Sequence, residues 1–263
     1  MRYIDITAFI LGICPPERLA WLKQSVDHLD KQHFPFVKKI IAVDEYRGYT
    51  MPESLKKYFE SQGWIVLVDA HMSRIKSMDH AFSLINSEYT FYNEDDIQAP
   101  MPQISDLTKI FKETFVKGRA CGMISLTMGG SKHNLPKKKY GDLNFVKENI
   151  LLENNDYVIF RRLEKKRNDF FFEFPALFIK TELFKRCHEV AKKKYAGKQV
   201  EMGLTKAWFK EKLDKKYYKC SLSKKDILNI VGDNPLDIYY KSLTLTFLDP
   251  NQGSSPFGGN HGY

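Results

Sequence analysis

Three consecutive carboxylates, Glu94-Asp95-Asp96, follow a short aromatic segment at residues 89–93. An unpaired carboxylate is costly to bury, so three in a row need a solvated edge or a cation. Mg²⁺ and Mn²⁺ prefer carboxylate oxygens and usually complete their shell with water and substrate phosphates. The run therefore predicts a metal-assisted site for a phosphorylated ligand, and a solvated acidic turn is the alternative interpretation.

The segments that must position these acids alternate between strand and helix patterns. Apolar segments predict four strands, at residues 4–10, 37–43, 64–68 and 89–92. Helical spacing of apolar residues predicts three helices between them, at residues 16–33, 52–62 and 74–86. This order implies a mainly parallel sheet, because parallel neighbours need crossover helices. Ligands bind such sheets at the carboxyl ends of the strands, where the acidic triplet lies.

The second half of the sequence is less regular. Helices are predicted near residues 102–116, 181–195 and 200–213, and strands at residues 121–127 and 237–248. Residues 131–155 are polar, Lys-rich and weakly periodic, which indicates a flexible loop or lid. The chain contains neither an internal repeat nor a linker, so residues 1–263 are predicted to form one domain.

Composition limits the function classes. With 43% hydrophobic and 14% aromatic residues the chain is not expected to be disordered. No apolar run reaches the roughly 20 residues of a membrane span, and the N-terminus is a poor signal peptide. The four cysteines lack C-x-x-C spacing, which favours free thiols and a cytoplasmic location. The net charge of +9 lies largely in short lysine clusters, which are typical of solvated faces, of a surface for anionic substrates or of a surface for acidic membranes.

Five segments resemble one enzyme family. They are Ile40-Ile41-Ala42-Val43-Asp44-Glu45, the helical segment at residues 73–81, the Glu-Asp-Asp triplet at residues 94–96, and the segments at residues 174–179 and 200–204. In this order and spacing they resemble the GT-A nucleotide-sugar glycosyltransferases, most of all the family 2 type, and the triplet resembles their DXD motif. The likeness covers residues 3–215. The Q-x-x-R-W motif of processive members is absent, which argues against a polymer synthase.

The resemblance implies a GT-A fold, with residues 1–100 as the nucleotide-sugar half, residues 101–248 as the acceptor half and residues 249–263 as a flexible tail. It implies Mn²⁺ or Mg²⁺ at Asp96. Glu94 would lie near the donor ribose or sugar, and Asp95 would help to orient the site.

Two further donor contacts are implied. Asp44 would accept a hydrogen bond from the base, its alternative being an ordinary strand-ending acid. Arg74 would contact the diphosphate at a helix N-terminus, its alternative being an ion pair with the triplet.

The catalytic roles also follow from the resemblance. Glu201 would be the general base of an inverting transfer of one sugar to an acceptor hydroxyl, with Glu173 as a weaker alternative. His261, between glycines of the tail, would be a further metal ligand. The partners would be a nucleoside-diphosphate sugar and a glycan or other hydroxyl acceptor, and nucleic acid is not expected.

The residues disfavour two rival functions. A nucleotidyltransferase normally carries a Gly-rich, basic loop after its first strand, whereas residues 11–18 contain a single glycine, Gly12, and a single arginine, Arg18. A basic nucleic-acid-binding module would leave the acidic triplet without a purpose, since carboxylates repel phosphate unless a metal intervenes.

Overall fold

The computed structural model of the chain describes residues 2–46, 48–69, 74–126, 148–162, 176–195, 200–224 and 246–248, and of residues 200, 201, 224, 246 and 247 only the backbone. The first hundred residues alternate strand and helix as the sequence predicts. The strands are β1 (Ile6–Ile13), β2 (Lys38–Asp44), β3 (Ile65–Asp69) and β4 (Tyr89–Glu94). The helices between them are α1 (Pro16–Lys31), α2 (Glu53–Ser61) and α3 (Arg74–Leu84).

These four strands pair in the order β3-β2-β1-β4, and all three pairings are parallel. Starting from β1, the chain crosses to β2 and β3 on one side and then returns to place β4 on the other side of β1. Strands β1 and β4 therefore flank the point at which the strand order reverses. In open α/β sheets a ligand crevice lies beyond the carboxyl ends of such a pair.

The second half extends the sheet with mixed pairings. Its elements are β5 (Ile97–Gln98), α4 (Ile104–Thr108) with a π-helical continuation (Lys109–Glu113), β6 (Phe115–Val116), β7 (Arg119–Ser125), β8 (Ile150–Glu153), β9 (Tyr157–Arg161), β10 (Ala176–Lys180), α5 (Thr181–Lys194), α6 (Val200–Lys210), a 3₁₀ turn (Leu213–Lys215), β11 (Tyr217–Lys224) and β12 (Thr246–Phe247). The order beyond β4 is β10-β7-β11-β9-β8, with β6 on β7. Strand β10 is antiparallel to both neighbours, whereas β7 and β11 are parallel. The α/β class is confirmed, and the parallel pairing is concentrated in the first half.

The structure corrects several sequence expectations in the second half. Residues 150–153 end the predicted loop yet form β8, which pairs with β9. Neither β9 nor β11 was predicted, because strand formation depends on cross-strand neighbours as well as on local preference. Residues 131–147 of the predicted loop, residues 237–245 of the predicted last strand and the tail lie outside the described residues.

Helices cover both faces of the sheet. Buried residues of α1, α2 and α4 pack with Ala8 and Ile10 of β1 on one face. Residues of α3, α5 and α6 pack with Phe9 and Leu11 on the other. This alternation follows from the strand period of two, and it fixes which side chains at the end of each strand meet which helix. None of the helices in the described part of the chain combines the length and apolarity needed to cross a bilayer.

Candidate functional site

Acidic side chains collect at the carboxyl ends of the parallel strands. Asp44 ends β2, Asp69 ends β3 and Glu94 ends β4. Asp44 and Asp69 are register neighbours on adjacent strands and are both mostly buried. Asp95 and Asp96 form the turn that follows β4. Because parallel strands end at one edge, the structure brings these acids to the predicted site.

The triplet that looks continuous in the sequence is divided between the two faces of the sheet. Consecutive residues at a strand end point to opposite faces. Glu94 meets α3, where Arg74 Nη2 lies 2.9 Å from Glu94 Oε1. Asp95 meets α1 through Arg18. The ion pair between Arg74 and Glu94 is the alternative that the sequence left open for Arg74.

Arg18 is the main partner of the two aspartates. Its Nε donates to Asp95 Oδ2 at 3.0 Å and its Nη2 contacts Asp95 Oδ1, so the guanidinium grips that carboxylate with two nitrogens. Its Nη1 donates to Asp96 Oδ2 at 2.9 Å. The Ile13 N–H adds a bond to Asp95 Oδ2 at 3.3 Å, and the Arg18 Cζ lies 5.4 Å from the centroid of the Trp21 ring. Arg18 is therefore anchored on several sides at the switch point.

The backbone of the acidic turn is held from two other directions. Ser25 Oγ of α1 donates to the Asp95 carbonyl at 3.0 Å. The Leu248 N–H donates to the Asp96 carbonyl at 2.8 Å, next to the antiparallel pairing of β12 with β5. The turn is thus fixed by α1 on one side and by the segment at residues 246–248 on the other.

Gly12 allows β1 to approach the buried carboxylate. A Cβ atom at this position would lie 3.0 Å from Asp95 Cβ and 3.1 Å from Asp95 Oδ2. A contact this short forces a shift in a side chain that Arg18 and Ile13 already hold. Gly12, the single glycine among residues 11–18, is therefore needed for the close approach of β1 to Asp95.

In the acidic turn, Arg18 offsets only part of the negative charge of Asp96. Burial of the Asp95 carboxyl raises its pKa, and the Arg18 guanidinium opposes that shift. Burial, followed by repulsion from Asp95 and Glu94, raises the pKa of Asp96 to about 7. Asp96 Oδ1 is buried and accepts no hydrogen bond within the described part of the chain. A cation at this oxygen would offset both causes of the shift.

The α3 face is more open than the α1 face. The side chains of Arg74 and Glu94 are each 21% exposed, and that of His80 is 49% exposed. His80 Nδ1 lies 3.0 Å from Asp69 Oδ1, while Asp69 Oδ2 is buried without a hydrogen-bond partner among the described residues. Ligand-accessible groups are therefore concentrated on this face.

Sequence reasoning missed Arg18, Asp69 and His80 as site residues. Asp69 ends its strand as Asp44 does, so its place at the carboxyl end of a predicted parallel strand is the signal that could have found it. Arg18 lies in the first turn of the helix after β1, a position that faces the crevice in this topology. His80 gave no sequence pattern of its own, because its role depends on the packing of α3 over β3.

The described residues fit the predicted metal site only in part. Across the described ranges, no three His, Cys, Asp or Glu side chains are arranged to hold an ion. Asp96 Oδ1 alone fits a site of the kind in which one carboxylate shares the ion with substrate phosphates and water. Glu201 lies in the first turn of α6, with only its backbone described, whereas Glu173 and His261 lie outside the described residues.

No protein-family model and no curated protein matches this chain. Several solved structures do. The mannosyltransferase of Pyrobaculum calidifontis, in complex with GDP-Man and Mn²⁺, has a TM-score of 0.47 at 11% identity over 84% of this chain and 57% of its own. The galactosyltransferase LgtC, in complex with donor and acceptor sugar analogues, has a TM-score of 0.46 at 9% identity over 93% and 87%.

A third similar structure is 2-C-methyl-D-erythritol 4-phosphate cytidylyltransferase from Thermus thermophilus, with a TM-score of 0.42 at 10% identity over 91% of this chain and 97% of its own. The chain is thus similar in fold to glycosyltransferases and to a nucleotidyltransferase.

Proposed function

We propose that the chain is a nucleotide-sugar glycosyltransferase that moves one sugar from a nucleoside diphosphate to an acceptor hydroxyl. The observation that carries the proposal is the gathering of Asp44, Glu94 and Asp96 with two arginines at the β1–β4 switch point. Open α/β sheets bind ligands at this place. The resemblance of the sequence motifs to GT-A enzymes points to the same edge.

The α3 face is the proposed nucleotide side. Carboxylates accept from the imide or amine N–H groups of a base, which is the role proposed for Asp44 and extended here to Asp69. Arg74 is proposed to donate to the diphosphate at the start of α3, where backbone N–H groups also favour anions. Glu94 would then exchange its ion pair with Arg74 for contact with the donor ribose or sugar, while Asp95 keeps the turn in position.

Asp96 is the proposed metal-binding residue, for Mn²⁺ or Mg²⁺. Such an ion supplies positive charge to a diphosphate leaving group. The carboxylates at this edge outnumber the two guanidinium groups, so negative charge has to be offset before a diphosphate is attracted. His261 is proposed as a further ligand. It lies thirteen residues after Leu248, a stretch that spans up to about 45 Å when extended, so the contact between Leu248 and Asp96 leaves it within reach.

Glu201 is the proposed general base. The acceptor oxygen forms a bond to the anomeric carbon while the bond from that carbon to the diphosphate breaks, and the hydroxyl proton passes to the carboxylate. One base opposite the leaving group gives inversion at the anomeric carbon. A product that kept the configuration of the donor would remove this role from Glu201.

A thermal-shift panel of UDP, GDP, CDP and dTDP, each with Mn²⁺ and with EDTA, tests the proposal. A nucleotide at about 100 times its dissociation constant adds roughly 2.7 kcal/mol, or about 5–10 °C in Tm for a chain of this size. We expect a shift with one base, dependent on Mn²⁺ and lost in Asp96→Ala. The exposed Glu113→Ala is the control and should keep the shift. No shift with any nucleotide in the folded protein would contradict the proposal.

The two rival functions fit the geometry less well. Arg18, the single arginine after β1, is engaged with Asp95 and Asp96, which leaves the loop without the basic grip on a triphosphate that a nucleotidyltransferase needs. A nucleic-acid-binding module would place phosphates beside the same uncompensated carboxylates. Release of pyrophosphate from a nucleoside triphosphate would favour the first rival, and salt-sensitive binding indifferent to Mn²⁺ would favour the second.

A further inference from the structure

Arg18 occupies a position built for a cation. Two oxygens of Asp95 and one of Asp96 converge on its guanidinium, and its side chain is only 12% exposed. The surrounding groups are fixed, because the backbone of the acidic turn is bonded to Ser25 and Leu248. Three carboxylate oxygens thus converge on one point from a turn whose backbone other parts of the chain hold in place.

A guanidinium and a divalent ion compete for the same carboxylate oxygens. Each Arg18 hydrogen bond uses a lone pair and places positive charge where a metal would have to enter. With Arg18 in place, Asp96 Oδ1 is the carboxylate oxygen of Asp95 and Asp96 that makes no hydrogen bond within the described residues. One oxygen is a poor site for Mg²⁺ or Mn²⁺, which take about six ligands in near-octahedral geometry.

We propose that Arg18 is the resident cation between Asp95 and Asp96, so that the free protein takes up no divalent ion and a metal enters only together with the diphosphate of a nucleotide. The second half of this statement rests on the proposed function, and the first half does not. Arg18 acts on the metal through the two aspartates and is in this sense a positioning residue. It makes binding ordered, because the diphosphate has to supply the ligands that Arg18 withholds.

Electron paramagnetic resonance of free Mn²⁺, titrated into the full chain, tests the inference without an activity assay. We expect the wild type to bind Mn²⁺ at least about tenfold more tightly once a stabilising nucleoside diphosphate is added. Arg18→Ala opens the space between the oxygens, so it should bind Mn²⁺ alone at least about tenfold more tightly than the wild type. Arg74→Ala is the matched control. Arg74 carries the same charge at the same edge but contacts Glu94. Its removal should therefore not raise the affinity for Mn²⁺.

A second probe separates the cation position from general loss of charge. Methylguanidinium should raise the Tm of Arg18→Ala and displace Mn²⁺ from it, while leaving Arg74→Ala unchanged. If Arg18→Ala does not fold, Arg18→Lys takes its place. Lys keeps one charge but loses the two-nitrogen grip on Asp95, so its affinity for Mn²⁺ should rise above that of the wild type.

The outcomes distinguish this inference from the proposed function. Tight binding of Mn²⁺ by the wild type alone, with no gain in the Arg18 variants, would overturn the role of Arg18 whatever the nucleotides do. A gain in Arg18→Ala combined with no effect of any nucleotide on the wild type would uphold Arg18 as the resident cation and overturn the glycosyltransferase proposal.

Discussion

The two faces of the sheet use neighbouring acids of the triplet in different ways. On the α1 face, Asp95 is fully buried and enclosed by Arg18 and the Ile13 N–H. On the α3 face, Glu94 and Arg74 form a pair that keeps about a fifth of each side chain exposed. The comparison teaches that the alternation of side chains between the two faces of the sheet separates an acid that holds the turn from an acid that can meet a ligand.

The largest expected effect is on the closed face. Asp95→Ala removes two of the three carboxylate oxygens that the buried Arg18 contacts and leaves it only Asp96, so the loss in the free energy of unfolding should approach the roughly 3–5 kcal/mol of a fully broken buried pair. Glu94→Ala breaks a partly exposed pair and should cost about 0–1 kcal/mol. Urea unfolding of the two variants measures the contrast. Similar losses would mean that the two faces do not differ as described.

Gly12→Ala tests how tightly the closed face is packed. The added methyl group would lie 3.0 Å from Asp95 Cβ, and overpacking of this kind costs about 1–3 kcal/mol. In the Asp95→Gly background, which lacks both the Cβ atom and the carboxylate, the clash is absent, so the same change should cost much less. Equal costs in both backgrounds, measured as a double-mutant cycle, would remove the close approach as the reason for glycine.

Asp96 predicts a pH dependence for the metal-free protein. A carboxyl whose pKa is about 7 when folded and about 4 when unfolded binds more protons in the folded state between these values. The free energy of unfolding therefore falls as pH rises through this window. Relative to the wild type, Asp96→Asn should gain on the order of 1–2 kcal/mol between pH 5 and pH 8. A difference in Tm that is the same at both pH values, in EDTA, would contradict the shift.

The smallest effect on folding is expected on the open face. Asp69→Asn keeps an oxygen to accept from His80, so the free energy of unfolding should change by about 1 kcal/mol or less. Its affinity for the nucleotide that stabilises the wild type should nevertheless fall about tenfold, since a neutral amide accepts less strongly from base N–H groups. Calorimetric titration measures this, with the exposed Asp156→Asn as the control. Unchanged affinity would take Asp69 out of the base site.

The sequence predicts the elements around the site better than the contacts within it. Strands β1 to β4 and the helices between them carry local periodicity, and their order alone places Asp44 and Glu94 at one edge. Strand β11 pairs with β7 and β9, which lie far along the chain, and periodicity does not report such partners. The pairing of Arg18 with Asp95 joins residues 77 positions apart. The division of Glu94 from Asp95 was within reach, because alternation along a strand already assigns them to opposite faces.

The short ladder between β5 and β12 has a consequence for biosynthesis. Ile97 and Phe247 pair across 150 positions of sequence, and β12 is the last of the described strands to be translated. A nascent chain can already assemble β1 to β11 while the edge beside Asp96 still lacks its partner. Contacts this distant in sequence form late, because closing a long loop costs conformational entropy before the contact contributes any favourable free energy. We therefore expect the region around the acidic turn to be the last part of the protein to mature after synthesis.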